Sequence, residues 1–159
     1  MQSSARRPVE KWVRLGWLFP SSYAVHVLEE WRGGEGFPAW WSRLTGVELP
    51  VERFLALNAY ALAGMAVGVA LAMLFRRMRW LLVGFGAVVL VNAVAHLAAS
   101  AATRSYSPGA ISGALLWLPL GAWTLAAGRK NLSRRDFGAG VGVGLLMHAA
   151  VTLLAFLGA

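Results

Sequence analysis

WLLVGFGAVVLVNAVAHLAASAAT, from Trp80 to Thr103, holds no Asp, Glu, Lys or Arg and is rich in Ala, Val and Leu. A helix crosses the hydrocarbon core of a bilayer with roughly 20 predominantly apolar residues. Three other runs match it: Phe54 to Phe75, Ser105 to Gly128 and Phe137 to Ala159. All four are continuous rather than alternating, which predicts helices and not barrel strands. The whole chain agrees. Its 159 residues are 58% hydrophobic and 14% charged, with mean hydropathy +0.57. A soluble domain is nearer half apolar and a quarter charged, and one small core cannot hide the excess. A soluble enzyme and a disordered chain are therefore disfavoured.

Trp12 to Trp31 is less decisive. Its uncharged part runs only from Leu15 to Leu28, and it contains Pro20, His26, Glu29 and Glu30. It reads first as a further span. An interfacial helix is one alternative. A cleaved signal peptide is another, with Arg6, Arg7, Lys11 and Arg14 before the apolar stretch and Ser22-Tyr23-Ala24 as a loose cleavage site. The expected fold is all-α: one integral membrane domain over 1–159, a bundle of five spans at 12–31, 53–75, 80–103, 108–127 and 137–158. Phe37 to Leu44 predicts a short interfacial helix between the first two spans. No repeat relates the spans.

Net charge is +8, and its placement has a topological reading. The N-terminal segment and the second-to-third and fourth-to-fifth connections hold eleven of the basic residues. The alternate connections hold Arg32, Arg43, Arg53 and Arg104. The positive-inside rule then puts the N-terminus in the cytoplasm and the C-terminus outside, in the plasma membrane. Trp12 and Trp80 are expected in the inner aromatic belt, and Trp31, Trp40 and Trp41 in the outer. No nucleic-acid motif accompanies the basic clusters, so no nucleic-acid partner is expected; membrane lipid is. Glycines at 138, 140, 142 and 144, and at 64 and 68, suit close helix packing within the bundle. Pro20 and Pro119 are expected to kink their helices.

Ionisable groups at membrane depth are costly and tend to be functional. His26, Glu29 and Glu30 form H-x-x-E-E, and at 100° per residue the glutamates flank His26 by about 60° and 40° on one helix face. Glu30 is the nearer in angle. Asn92 and His96 share a face one turn apart. At ~1.5 Å per residue from the inner charge cluster of each span, His26, Asn92, His96 and His148 fall roughly 18–26 Å along, in one outer layer. Tyr106-Ser107-Pro108-Gly109 lies at the mouth of that layer.

H-x-x-E-E, then N-x-x-x-H, then Y-x-P-G resembles the HXXEE-domain family of small integral membrane proteins, from the first span to the fourth. The last span and His148 are not carried by these motifs. The resemblance implies a polar membrane site, with metal binding suggested by the motifs and no settled reaction.

With no cysteine, a metal would need imidazole and carboxylate ligands. His26, His96, Glu29 and Glu30 are the candidates. Zn²⁺ is the first choice, with Fe or Mn as alternatives. Such a metal would acidify water for attack on a lipid-like ester or amide. The carboxylate left free, Glu29 or Glu30, would act as general base and Tyr106 would stabilise developing charge. Asn92 and His148 would orient the ligands. Two other readings stay open: a transporter or proton relay using the same groups, and a structural or partner-binding protein in which they are helix glue. Soluble templates are missing: there is no G-x-S-x-G, P-loop or dinucleotide fingerprint.

Overall fold

The computed structural model describes residues 10–157; Arg6, Arg7 and the last position of the expected final span lie outside them. Six helical segments account for almost all of the described chain. Helix α1 covers 11–32, as an α-turn Lys11–Arg14, a 3₁₀ turn Leu15–Trp17 and an α-helix Leu18–Arg32. Helix α2 is Phe37–Thr45, α3 Val51–Leu74, α4 Trp80–Thr103, α5 Ala110–Asn131 and α6 Arg134–Phe156. Among the described residues there is no strand.

Local chemistry sets the boundaries. Helix α2 follows Gly36, has Pro38 in its first turn, and stops at Gly46, whose N–H bonds back to the Ser42 carbonyl. Pro50 then precedes α3. Ser133 caps α6 by accepting from the Asp136 N–H at 3.1 Å, the usual role of a hydroxyl at that position. Each internal proline is matched by a change of helix pitch. Pro20 follows the 3₁₀ turn, and Pro119 follows a π-turn, Gly113–Trp117. Proline lacks the N–H that an α-helix needs and collides with the carbonyl four residues back. A locally wider or tighter turn relieves both problems.

Four helices are long and apolar enough to cross a membrane: α3, 76–103 containing α4, α5 and α6. Polarity is inverted relative to a soluble protein. Leu74, Leu115 and Leu146 are 71%, 70% and 70% exposed, whereas His26, Glu30 and His96 are 1%, 6% and 5% exposed. The chain is a helical membrane protein whose polar groups face inward.

Helix α4 is central and packs against α3, α5 and α6, while α1 packs on α3 and on the start of α5. Two seams of small residues bring backbones together. A Cβ on Gly140 would lie 2.6 Å from the Trp80 carbonyl, and one on Gly144 would collide with that of Gly84. On α5, a Cβ on Gly121 would lie 2.8 Å from the Gly86 carbonyl. Gly138 and Gly142 meet nothing within 4 Å. Gly140 and Gly144 therefore pack, and Gly138 and Gly142, two positions round the helix from them, do not. Gly68 seats the ring of Phe85, while Gly64 faces open space.

Helix α1 reaches α4 through side chains, Phe19 against Phe85 and His26 against His96. At one end Glu10 bonds the Arg79 guanidinium at 2.9 Å. At the other, Gly33 packs on Tyr106. Between them Val13, Phe19 and Tyr23 join the apolar core with Val69, Leu82, Phe85 and Trp117. Trp12 and Trp40, expected in the interfacial belts, are buried instead. Trp12 turns inward because its indole N–H donates to Glu10 at 2.7 Å, which holds that carboxyl below its usual value with help from Arg79 and Arg76.

Candidate metal centre

The H-x-x-E-E motif lies in the last two turns of α1. Its 3.6-residue periodicity points His26 and Glu30 to the same side, toward α4. His96 projects from α4 to meet them. The Glu30 Oε1 lies 3.2 Å from His96 Nε2 and 3.5 Å from His26 Nε2. One ligand atom from each of the three residues falls within 4.8 Å of the others. All three side chains are buried.

The far side of each imidazole is held by a serine. His26 Nδ1 is 2.7 Å from Ser112 Oγ, and His96 Nδ1 is 3.0 Å from Ser107 Oγ. Ser112 Oγ also reaches the Gly109 carbonyl at 3.5 Å, an acceptor that leaves the hydroxyl free to receive an Nδ1 proton from His26. The hydrogen bond at one ring nitrogen selects the tautomer at the other. With Nδ1 protonated, Nε2 presents its lone pair to the centre, and it has no hydrogen-bond partner there. His96 Nε2 faces Glu30 Oε1, with Ser107 behind the ring.

Packing fixes the rings. Trp117, carried inward by the π-turn of α5, stacks on His26 with centroids 3.6 Å apart. Phe37 of α2 stands edge-on to His96 at 5.7 Å, so the expected interfacial helix forms the roof of the cluster. Gly109 forms another wall: a Cβ there would lie 2.9 Å from Cε1 of both histidines. Its φ of +98° is one that L side chains rarely adopt.

Glu29 is not in the cluster. It turns to the start of α5, where Oε2 accepts the Ser112 N–H at 2.6 Å and Oε1 the Ile111 N–H at 2.9 Å. The Tyr106 hydroxyl donates to the same Oε1 at 2.6 Å. A carboxylate on the unpaired N–H groups of a helix start is satisfied by hydrogen bonds and by the helix dipole. The two adjacent glutamates therefore divide the work, Glu30 facing the histidines and Glu29 anchoring α5. Burial and the neighbouring Glu29 push the Tyr106 phenol up to about 12, so it stays a donor, engaged with Glu29 rather than with the histidines.

Asn92 and His148 sit beside the cluster. Both line a cavity of about 270 Å³ that also reaches His26 and Glu30. Asn92 Oδ1 is buried without a hydrogen-bond partner. The orienting role expected of these two residues is taken by Ser107 and Ser112. Ser107 sits within the Y-x-P-G motif, which was its available signal. Ser112 and Trp117 carried none, because nothing local links them to a histidine on another helix.

Three lone-pair donors converge on one buried point. Metal–ligand bonds of about 2.0–2.1 Å in a tetrahedral site imply ligand separations near 3.3 Å, and the two measured edges bracket that value. His26, Glu30 and His96 thus form a group that could hold a metal ion.

No curated protein and no solved structure matches the chain. A family model described as a protein of unknown function with HXXEE motif matches residues 17–124, a stretch that includes His26, Glu30, His96 and both serines that hold the rings. The chain belongs to the HXXEE family.

Proposed function

We propose that this is a five-span plasma-membrane protein, N-terminus inside, in which His26, Glu30 and His96 bind a divalent metal ion in the outer half of the bilayer. Zn²⁺ is the first candidate, and the activity is hydrolysis of a lipid-like ester or amide. One observation carries the reading. The Nε2 atoms of two imidazoles and a carboxylate oxygen face one another in a buried site, where a shared cation would hold them together. Three protein ligands with a free position are the pattern of catalytic zinc rather than structural zinc.

A metal there would supply Lewis-acid activation of water and of a bound carbonyl. The protein's own groups do the rest. Ser107 and Ser112 hold the rings in the ligating tautomer. Glu30 has a second oxygen available to take a proton. Asn92, unpaired at the cavity wall, is placed to bond a polar group of the substrate. Glu29 and Tyr106, engaged with each other and with α5, serve the site by holding the loop that carries Ser107 and Gly109. The packing of α1 on α3 and on the start of α5 supports a fifth span, and the absence of native cysteine makes single-cysteine labelling from each side a direct test of topology.

Metal analysis of purified chain decides the central point. About one divalent ion per chain is expected, lost in His26→Ala and His96→Ala. Metal content indifferent to either change would dismiss the site. A second reading is favoured by the sharing of Glu30 Oε1 between two ring nitrogens: a proton bridges such groups as well as a metal does. That proton-relay reading expects metal-free protein and pH-gradient-driven flux in liposomes that Glu30→Gln abolishes.

A further inference from the structure

The cavity beside the cluster has a direction. Helices α3 and α6 both line it yet scarcely touch each other. Its rim residues Tyr60, Met147 and Val151 are exposed on the apolar outer face of the bundle. The end near α2 is closed. Arg53 Nη2 donates to the Leu154 carbonyl at 2.9 Å, and Trp41 packs edge-on against Phe156 with centroids 4.6 Å apart. The cavity therefore opens sideways between two helices and is shut toward the end where water would enter.

Its lining is mostly apolar. Phe54, Met65, Phe85 and Val151 contribute to the walls, and His26, Glu30 and Asn92 join them. Nε2 of His26 and Oδ1 of Asn92 are unpaired. An apolar pocket with a few convergent polar groups is the usual form of a small-molecule site. Its volume of about 270 Å³ is that of roughly nine methylene-sized groups, taking ~30 Å³ for each as for a liquid water. That is too little for a two-chain phospholipid and enough for most of one short chain.

We propose that the cavity binds a single-chain acyl amphiphile taken laterally from the lipid between α3 and α6, with its carbonyl at the cluster. The hydrolytic part of this assignment rests on the metal-centre reading above; binding of the chain does not. For an ester, water adds its oxygen to the acyl carbon, the acyl C–O bond breaks, and the leaving oxygen takes a proton. The products are a carboxylic acid and an alcohol.

The test is photo-crosslinking of full-length chain in nanodiscs with a dodecanoyl monoglyceride bearing a diazirine on its chain, mapped by peptide mass spectrometry. Adducts are expected on Tyr60, Met147 and Val151, suppressed by excess unlabelled monoglyceride. Gly64 lines the cavity and a Cβ there meets nothing within 4 Å, so Gly64→Phe carries a ring from an open position on the cavity wall. It is expected to cut this labelling about tenfold, equivalent to ~1.4 kcal/mol of lost binding, and to leave metal content unchanged. Labelling in the cavity of a protein that binds no metal would keep the pocket and remove the hydrolytic reading. Bound metal with adducts spread equally over Leu74, Leu115 and Leu146, or wild-type labelling indifferent to competitor, would overturn the pocket.

Discussion

Replacing Gly109 by alanine tests the geometry of the cluster most directly. The residue has φ +98°, and a left-handed conformation costs an L-residue about 1–2 kcal/mol. Sterics add to this. The new Cβ would sit 2.9 Å from Cε1 of His26 and of His96, and 3.1 Å from Cγ of Glu30. Carbon contacts are optimal near 3.5–4.0 Å, so each ring must retreat by roughly 0.6 Å or more. Trp117 behind His26 and Phe37 beside His96 leave little room to do so. Overpacking of this kind costs about 1–3 kcal/mol. Gly46 is the control: its φ is +74° and a Cβ there meets nothing within 4 Å, so Gly46→Ala carries only the backbone cost. In detergent, Gly109→Ala should lose ~1–3 kcal/mol more stability than Gly46→Ala. It should also bind metal more weakly, since a shift of about 0.5 Å is enough to spoil a ligand constellation. Equal losses at the two glycines, with metal affinity intact in both, would refute the packed geometry of the site.

Four further outcomes are expected. Ser112→Ala and Ser107→Ala should each weaken metal binding by about 10- to 100-fold without unfolding the chain, read by competition with a chelating dye; unchanged affinity would end the orienting role of the hydroxyls. Glu30→Gln should abolish metal binding while Glu29→Gln retains it, so equal metal content in the two variants would contradict their division of labour. Gly140→Val should destabilise by ~1–3 kcal/mol or more, because its Cβ would press on the Trp80 carbonyl, whereas Gly142→Val should stay within about 0.5 kcal/mol; thermal melts in one detergent compare them. Glu10 sets an acid limit. Its carboxyl is held below the ordinary 4.5 by the Trp12 indole and by Arg79 and Arg76, so the stability it adds is complete above that value and drains away as pH falls below it. Glu10→Gln should therefore melt lower than wild type at neutral pH and converge with it in acid, once the carboxyl is protonated in both states; a gap that persists there would show that the contact works by packing alone.

Much of this architecture was readable from residue order. Uncharged runs marked the four long apolar helices, because charge is the costliest thing to place in hydrocarbon. Helix periodicity put His26 and Glu30 on one face and favoured Glu30 over Glu29. What stayed hidden depends on long-range partners. Glu29 finds the N–H groups at the start of α5, 82 and 83 residues away, and no local pattern announces such a pairing. Ser112 lies 86 residues from His26. The inward turn of Trp12 follows from a neighbour two positions earlier, but also needs Arg79 to make that neighbour an anchor. Pro119 signalled a disturbed helix; that the disturbance is a π-turn seating Trp117 on His26 is a property of the packed state.

Helix α1 brings two adjacent carboxylates into the bundle, and both find their partners on elements made much later. When α1 leaves the ribosome, the N–H groups that will receive Glu29 are still 82 residues from being synthesised, and His96 has not emerged either. On the five-span reading two unpaired carboxylates enter the bilayer with α1, a costly placement, so the segment is a poor candidate for release into lipid as a lone hairpin with α3. That reading makes insertion run out of chain order. The opening helix must wait, at the translocon or the headgroups, until the turn before α5 arrives to neutralise it, and truncation before Ser112 should leave it stranded.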